Sequence, residues 1–464
     1  MIIIVLTQRQ YGIALRVFVF ITLSFILSAQ GHYVDIADAL QSKVELEGPI
    51  MEDPNFGIEV VTTGIEFPSD MAFLDIDDIL VLEKNEGTVR RIVNGQMLDK
   101  PLLEVDVSNS SERGLLGIAV AKRMDEESDS RLVYLHFTEV LKNQDGHNPE
   151  DLANRIYRYE LVGNHLIRPN LLLDLPATPD PYHNGGKILI GPDDNLYIVV
   201  GDMGLGRKEI EKSSTVQNNI EGPDPDGRAG ILRVTQDGGD VDNKGILGDE
   251  YPLNMYYAYG IRNSFGIDFD PVTGDLWDTE NGPNYGDEIN LVDPGFNSGW
   301  NKVQGYWKPD GVERGELELN PDDLVSFNGN GVYSAPEFVW NQSVGATAIR
   351  FFDSDKYGEE YENDLFVGDF NNGFLYHFDL NEERTELSLD GDLEDKIADV
   401  EVEANNNLFG KRFIAITDIE VSPDGYLYVL SLHQSGHDCD PKYPNCVKYD
   451  SLIYGTMFKI YPIN

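Results

Sequence analysis

The chain has 464 residues and a formal net charge of −46, from 81 acidic against 35 basic side chains. Such a surface repels phosphate backbones and excludes nucleic-acid binding, while it suits a soluble protein that binds or tolerates cations. A hydrophobic share of 41%, an aromatic share of 10%, 45 glycines and 23 tyrosines describe a folded chain rich in strands and turns, long enough for one large domain or two to three ordinary ones.

At the N-terminus, Arg9 and Arg16 precede the apolar run Val17–Leu27, which ends in Ser28 and Ala29. A basic segment, a short apolar core and small residues are the layout of a secretory signal peptide over residues 1–30, which predicts an exported protein. The core is short for a bilayer-spanning helix, which takes ~20 residues. The apolar stretch Met1–Leu6 nevertheless keeps an uncleaved membrane anchor open. Residues 31–50 read as a leader into the fold.

Beyond the leader one pattern recurs: an apolar strand, a turn built on Pro-Asp or Asp-Gly, then an aromatic strand. It appears at Met71–Leu82, at Leu116–Val120 with Leu132–Phe137, at Lys187–Val200 and at Gly266–Trp277. It returns at Ala348–Phe352 with Asp364–Gly368, and last at Ile419–Leu430. Each copy is followed by a second hairpin half, as in Gly87–Ile92, Arg155–Tyr159, Gly230–Val234, Glu288–Val292, Gly373–Phe378 and Thr456–Ile460. The repetition predicts an all-β fold over residues 45–464, a six-bladed β-propeller with four-stranded blades, whose sheets stack around a central channel. Two packed β domains are the competing arrangement. The polar insertion from Leu205 to Asp226 is expected to cap one face of the channel. The acidic stretch from Thr385 to Asn407 is expected to be a solvated loop.

Only two cysteines occur, Cys439 and Cys446. A close even pair in an exported chain predicts a small disulfide loop. A metal site with the nearby His433 and His437 is the alternative, though this spacing misses the short zinc knuckle.

Four loops carry unusual polar content, in the order Tyr182–Gly186, Gly201–Gly204, Gly260–Gly266 and Asp278–Trp300. Alone, each reads as an ordinary turn: a lone His183, an aspartate at 202, an Arg262-Asn263 pair within a structural network, a charged hairpin. Their shared position at one end of a repeat is the informative part, because loops at one mouth of a propeller converge on a site. In the last loop the Gly282-Pro283 bend sits among Asp278, Glu280, Asp287 and Glu288. It can aim carbonyls and carboxylates at one point, the all-oxygen shell that calcium prefers.

The segments HNGGKILIGPDDNLYIVVGDMG, GIRNSFGIDFD, ENGPNYGDEINLV and GFNSGW, in that order, resemble the soluble glucose/sorbosone dehydrogenase family over Phe67 to Ile460. These are six-bladed quinoproteins that use pyrroloquinoline quinone with calcium. The resemblance implies an oxidoreductase acting on sugar or alcohol CH–OH groups, with an external electron acceptor. It implies that His183 is the general base, that Asp202 orients it, and that Arg262 and Asn263 contact the quinone oxygens. It further implies that the carbonyls of Gly282 and Pro283 bind the cofactor's calcium, that Asp287 faces substrate, and that Glu288 serves a second, structural calcium. The family's best-known members grip the quinone carboxylates with bases at positions that here read Ala415-Ile416-Thr417-Asp418 and Asn371. Lys187, Arg207 and Arg350 are the candidate substitutes. Two other functions stay in view: a non-catalytic, calcium-stabilised propeller that binds a protein or glycan, and a calcium-dependent lactonase or esterase.

Overall fold

The structure, a computed structural model, describes residues 48–463 apart from 122–129, 143–150, 178–179, 205–212, 242–244, 311–312, 316, 318–319, 321–322 and 433–453. The expected signal peptide, the cysteine pair Cys439 and Cys446 with its neighbouring histidines, and Arg207 lie outside the described residues.

The fold is an all-β propeller. Its strands form sheets of four to six strands, plus one two-stranded ribbon, Lys308–Asp310 with Glu313–Gly315. Helix among the described residues is confined to short turns such as Glu401–Ala404. The first strands of successive sheets touch in a closed ring. Pro68–Asp75 meets Leu115–Val120, then Ile188–Ile190, Ser264–Phe269, Ala346–Phe351 and Ile416–Val421, which returns to Pro68–Asp75. Ring closure is made by the N-terminal strand Phe56–Glu66, which pairs antiparallel with Tyr454–Pro462 so that Ile58 faces Ile460 across the outer edge of the last sheet.

Burial explains why these segments are strands and which lie inside. Leu196–Val200 and Leu427–Leu432 are buried at every position. Continuous apolar runs are what a strand needs when neighbouring sheets cover both of its faces. At the periphery, His165–Pro176 mixes buried leucines with exposed polar residues, as a strand with one wet face should. Every repeat and hairpin half expected from the sequence falls on a strand.

Not every sheet stops at four strands. The one built on Ile188–Ile190 gains Phe296–Asn297 and Val332–Tyr333 in parallel register, and the one built on Ser264–Phe269 gains Ile397–Ala398. The latter corrects the expectation for Thr385 to Asn407. Leu387, Leu393, Ala398 and Ala404 of that stretch are buried against Trp340 and Phe378. Its acids describe only the outward side; four well-spaced apolar residues give it a packed inner one. In the described part of the insertion from Leu205 to Asp226, Asn218 is buried and donates through Nδ2 to the carbonyl of Trp300 at 2.9 Å. That piece braces the loop that carries Trp300.

Candidate active site

A cavity of about 420 Å³ opens where the inner strands converge, a size typical of small-molecule sites, ~300–1,000 Å³. Every ring sheet contributes to its wall: Ser69, Leu116, Lys187, Phe265, Thr347 and Thr417 all line it, each in or beside a first strand. His183, Arg262, Asn263 and Gly282 line the same cavity. Loops far apart in sequence therefore meet in one place.

His183 sits before Ile188–Ile190 with φ 59°, a left-handed backbone that costs a non-glycine residue energy and needs outside support. Its N–H donates to Glu112 Oε2 at 2.6 Å, and its carbonyl accepts the N–H of Met203 at 3.1 Å. The side chain is 5% exposed, with Nδ1 at 2.5 Å from Asp202 Oδ1. Asp202 is fully buried, and it also accepts from Gly204 N at 2.7 Å and from Trp300 Nε1 at 2.7 Å. Burial alone would raise its pKa, but the charge and hydrogen bond of His183, the charge of Arg262 and the Gly204 amide hold it below the ordinary carboxylate value. An ionised Asp202 keeps the proton of His183 on Nδ1 and leaves Nε2 as the basic nitrogen.

Gly201 makes this arrangement possible. A Cβ there would lie 2.4 Å from the carbonyl of His183 and 3.0 Å from that of Arg262, so only glycine lets the two loops approach. Asp202 N–H bonds the carbonyl of Arg262 at 2.8 Å. The Arg262 guanidinium donates from Nη1 to the carbonyl of Asn281 at 2.5 Å and lies 5.5 Å from the Trp300 ring. Burial lowers its pKa against the pull of Asp202, Asp287, Glu112 and Glu280. Asn263 Nδ2 shares Glu112 Oε2 at 3.2 Å.

The turn after Leu276–Glu280 is tight. A Cβ at Gly282 would fall 1.9 Å from the carbonyl of Tyr285. Asp287 holds the turn from behind: its Oδ1 accepts Gly282 N at 2.9 Å, while Oδ2 accepts Ser343 Oγ, Val344 N and Gly345 N at 2.7–2.9 Å. It is fully buried and absent from the cavity lining, so the acid expected to face substrate is here a brace between two loops. Pro283 is half-buried.

Glu288 stands directly across the ladder from Glu280, with Asp278 opposite Asn290. All three acids are buried, and among the described residues none forms an ion pair. Burial raises Asp278 to about 7 and Glu288 to about 8, and together with the charges of Glu288 and Asp278 it lifts Glu280 well above its ordinary value. Asp278 Oδ2 has no hydrogen-bond partner.

A family model described as Glucose / Sorbosone dehydrogenase matches residues 65–438. The chain belongs to the glucose/sorbosone dehydrogenase family. It is 25% identical over 392 residues to aldose sugar dehydrogenase YliI of Escherichia coli, covering 82% of this chain and 91% of that one. It is 29% identical over 267 residues to quinoprotein glucose dehydrogenase B of Acinetobacter calcoaceticus, covering 54% of each. The PQQ-bound form of an aldose sugar dehydrogenase from Streptomyces coelicolor shares its fold, with a TM-score of 0.57 and 22% identity over 89% of this chain and all of that one.

The family's cofactor set can be weighed against the residues of this cavity. Among the described residues, no donor takes the carbonyls of Gly282 or Pro283, so both suit a hard cation. Arg262 Nε and the Oδ1 atoms of Asn263 and Asn281 are buried without partners, which suits a polar ligand beside them. Asn371 and Thr417 line the cavity but are neutral, as the sequence indicated. Two of the expected substitutes are already engaged. Lys187 Nζ lies 2.8 Å from Asp70, 2.7 Å from Asp418 and 3.4 Å from Glu420, and Arg350 Nη1 lies 3.2 Å from Glu420 and 3.4 Å from Asp268. The donor set fits the metal and the quinone's polar edge, with no free base from Lys187 or Arg350.

Two contributors escaped the motif reading, Glu112, which ties His183 to Asn263, and Lys84, a base in the wall; Trp300 closes a motif segment, but its clamp on Asp202 was not read from it. Glu112 precedes the strand Leu115–Val120, the same repeat position as His183 and Arg262, and that position was the available signal.

Proposed function

We propose that the protein is an exported, calcium- and quinone-dependent sugar dehydrogenase that oxidises a CH–OH group of an aldose or related alcohol and passes electrons to an external acceptor. The observation that carries this reading is the Nδ1 of His183 at 2.5 Å from the buried Asp202, within one cavity with Arg262 and Gly282. When bound, pyrroloquinoline quinone would supply the two-electron acceptor for the substrate's hydride. His183 takes the hydroxyl proton on Nε2, while Asp202 stabilises the imidazolium that results. Arg262 and Asn263 present donors where negative charge grows during hydride transfer. The carbonyls of Gly282 and Pro283 would hold calcium beside the cavity, and Glu288 would hold a second, structural calcium. Relatives named as aldose sugar and quinoprotein glucose dehydrogenases support the activity. We read the ring of sheets as six blades, each with a core of four strands, and the leader sequence as the basis for export.

The test is titration of purified protein with calcium and quinone, followed by dye reduction with aldoses. Wild type gains the quinone absorbance and turns over. His183→Ala keeps the absorbance and loses turnover by about 10²–10⁴-fold; undiminished turnover in that variant removes His183 from the reaction. The neutral side chains at Asn371 and Thr417 favour one second reading, a calcium-stabilised propeller that binds a protein or glycan without redox chemistry. Absence of quinone binding at micromolar concentration selects it.

A further inference from the structure

Lys84 follows the strand Asp78–Glu83 and lines the cavity. Its Nζ donates to the carbonyls of Ser111 and Arg113, each at 2.8 Å, and lies 5.2 Å from the centroid of the Phe67 ring. An ammonium carries three N–H donors, so one remains for a ligand. Among the described residues no carboxylate pairs with it. Glu112 is near enough to be felt, but burial dominates and lowers the lysine's pKa to about 8. Glu112 Oε2 itself is committed to the His183 amide and to Asn263.

The surrounding charge points the same way. In a chain of net charge −46, the cavity wall carries three bases, Lys84, Lys187 and Arg262, against two acids, Asp70 and Glu112. Lys187 is consumed by Asp70 and Asp418, while Arg262 gives Nη1 to the Asn281 carbonyl in the field of Asp202 and keeps Nε for the ligand's polar edge. Among the described residues, Lys84 is the wall's ammonium with no contacting acid and an unfilled donor shell, and it stands apart from the Arg262 Nε. A partly desolvated ammonium held by two neutral carbonyls is preorganised for a carboxylate.

We propose that Lys84 anchors a carboxylate of the cavity's ligand, so that this chain takes an acidic molecule from the wall built by Phe67, Lys84 and Ser111. Two sources share that chemistry: a carboxylate of the quinone, which would replace the bases missing at Asn371 and Thr417, or the carboxylate of an acidic sugar such as a uronate. The identity of the rest of the ligand rests on the function proposed above; the anion anchor does not.

The experiment compares wild type, Lys84→Met and Lys84→Arg of the full chain, with melting temperature recorded to confirm folding. Methionine keeps the apolar stem against Phe67 and removes the charge; arginine keeps the charge. One arm measures equilibrium binding of pyrroloquinoline quinone with calcium by its absorbance. The other measures glucuronate and glucose by calorimetry without cofactor. We expect Lys84→Met to weaken at least one carboxylate ligand by about tenfold or more, Lys84→Arg to restore most of that loss, and glucose to be unaffected. Loss of quinone affinity assigns the anchor to the cofactor; loss confined to glucuronate assigns it to the substrate. Wild type should also release the affected ligand as pH rises past about 8, and the arginine variant should not. Wild type that binds glucuronate through Lys84 but no quinone keeps the anchor and overturns the dehydrogenase reading. Equal binding of both acids by wild type and Lys84→Met, or binding of neither by wild type, overturns the anchor.

Discussion

Two groups of buried acids sit near the cavity, and they solve the same problem differently. Asp70, Asp418 and Glu420 gather around Lys187, and Glu420 with Asp268 also meets Arg350. Asp278, Glu280 and Glu288 gather around Asn290 and Ser298, with no base. In the first group burial pushes the carboxyls up while Lys187 draws them back, and burial's pull on Lys187 is outweighed by its three acids, which raise it well above its ordinary value. In the second group hydrogen bonds are the main offset to burial, and only Glu280 also feels the charge of Arg262. Like charges directly across a ladder, as at Glu280 and Glu288, repel. Buried carboxylates need a positive charge or a proton. The first group carries its own cation in the chain; the second must take protons or a metal ion from solution.

The largest expected effect is at Lys187. Lys187→Met strands the buried Asp70 and Asp418 and leaves Glu420 to Arg350, and unfolding in urea should show a loss of about 3–5 kcal/mol. The loss should be smaller at pH 5, where the acids can take up protons, than at pH 8. A loss below about 1 kcal/mol at pH 8 would erase the contrast between the two groups.

The base-free group should show itself through pH. The Glu288 carboxyl moves from an ordinary 4.5 to about 8 in the fold. Between those values the folded state holds more protons than the unfolded chain, so stability falls as pH rises. With a chelator present, the loss from pH 5 to pH 8 should be on the order of 2–4 kcal/mol. Calcium should restore most of it by replacing the protons, and Glu288→Gln should flatten the profile. A flat profile in wild type would place that group with the first one.

Asp287 is the intermediate case, a buried acid satisfied by N–H and O–H donors instead of a base. Burial raises its pKa, and the Gly282 and Gly345 amides, Ser343 and the charge of Arg262 work against that rise. Asp287→Asn turns an amide NH₂ toward donors on one side and should cost about 1–3 kcal/mol. Differential scanning calorimetry should register that loss. KM for an aldose should move little, because Asp287 braces the turn from behind the wall.

Much of the fold was legible in the sequence, for a local reason. Apolar runs such as Leu196–Val200 recur from unit to unit and turns such as Gly191-Pro192-Asp193 in several of them, and strands and turns answer to near neighbours. The motif residues His183, Asp202 and Arg262 were legible as well, since each stands at one end of a repeat. Lys187 read as a candidate substitute base because its three acids lie up to 233 positions away, where no local pattern can reach. The roles of Trp300 and Glu112 were hidden for the same reason: one clamps Asp202 across 98 positions, the other reaches His183 across 71. Composition misled at Thr385 to Asn407, where a few apolar residues among many acids decide the packing.

By itself, then, the sequence determined the strand repeat, the tight Gly282-Pro283 bend, the acidic surface and the motif loops. Those depend on backbone propensity, steric room and charge count, all of which are local or additive. The tertiary structure alone decided which buried acids meet a base, that Asp287 braces a turn, and that Lys84 stands with an open donor in the wall. Those depend on which distant side chains share a few ångströms inside a low-dielectric interior, and only ring closure fixes that.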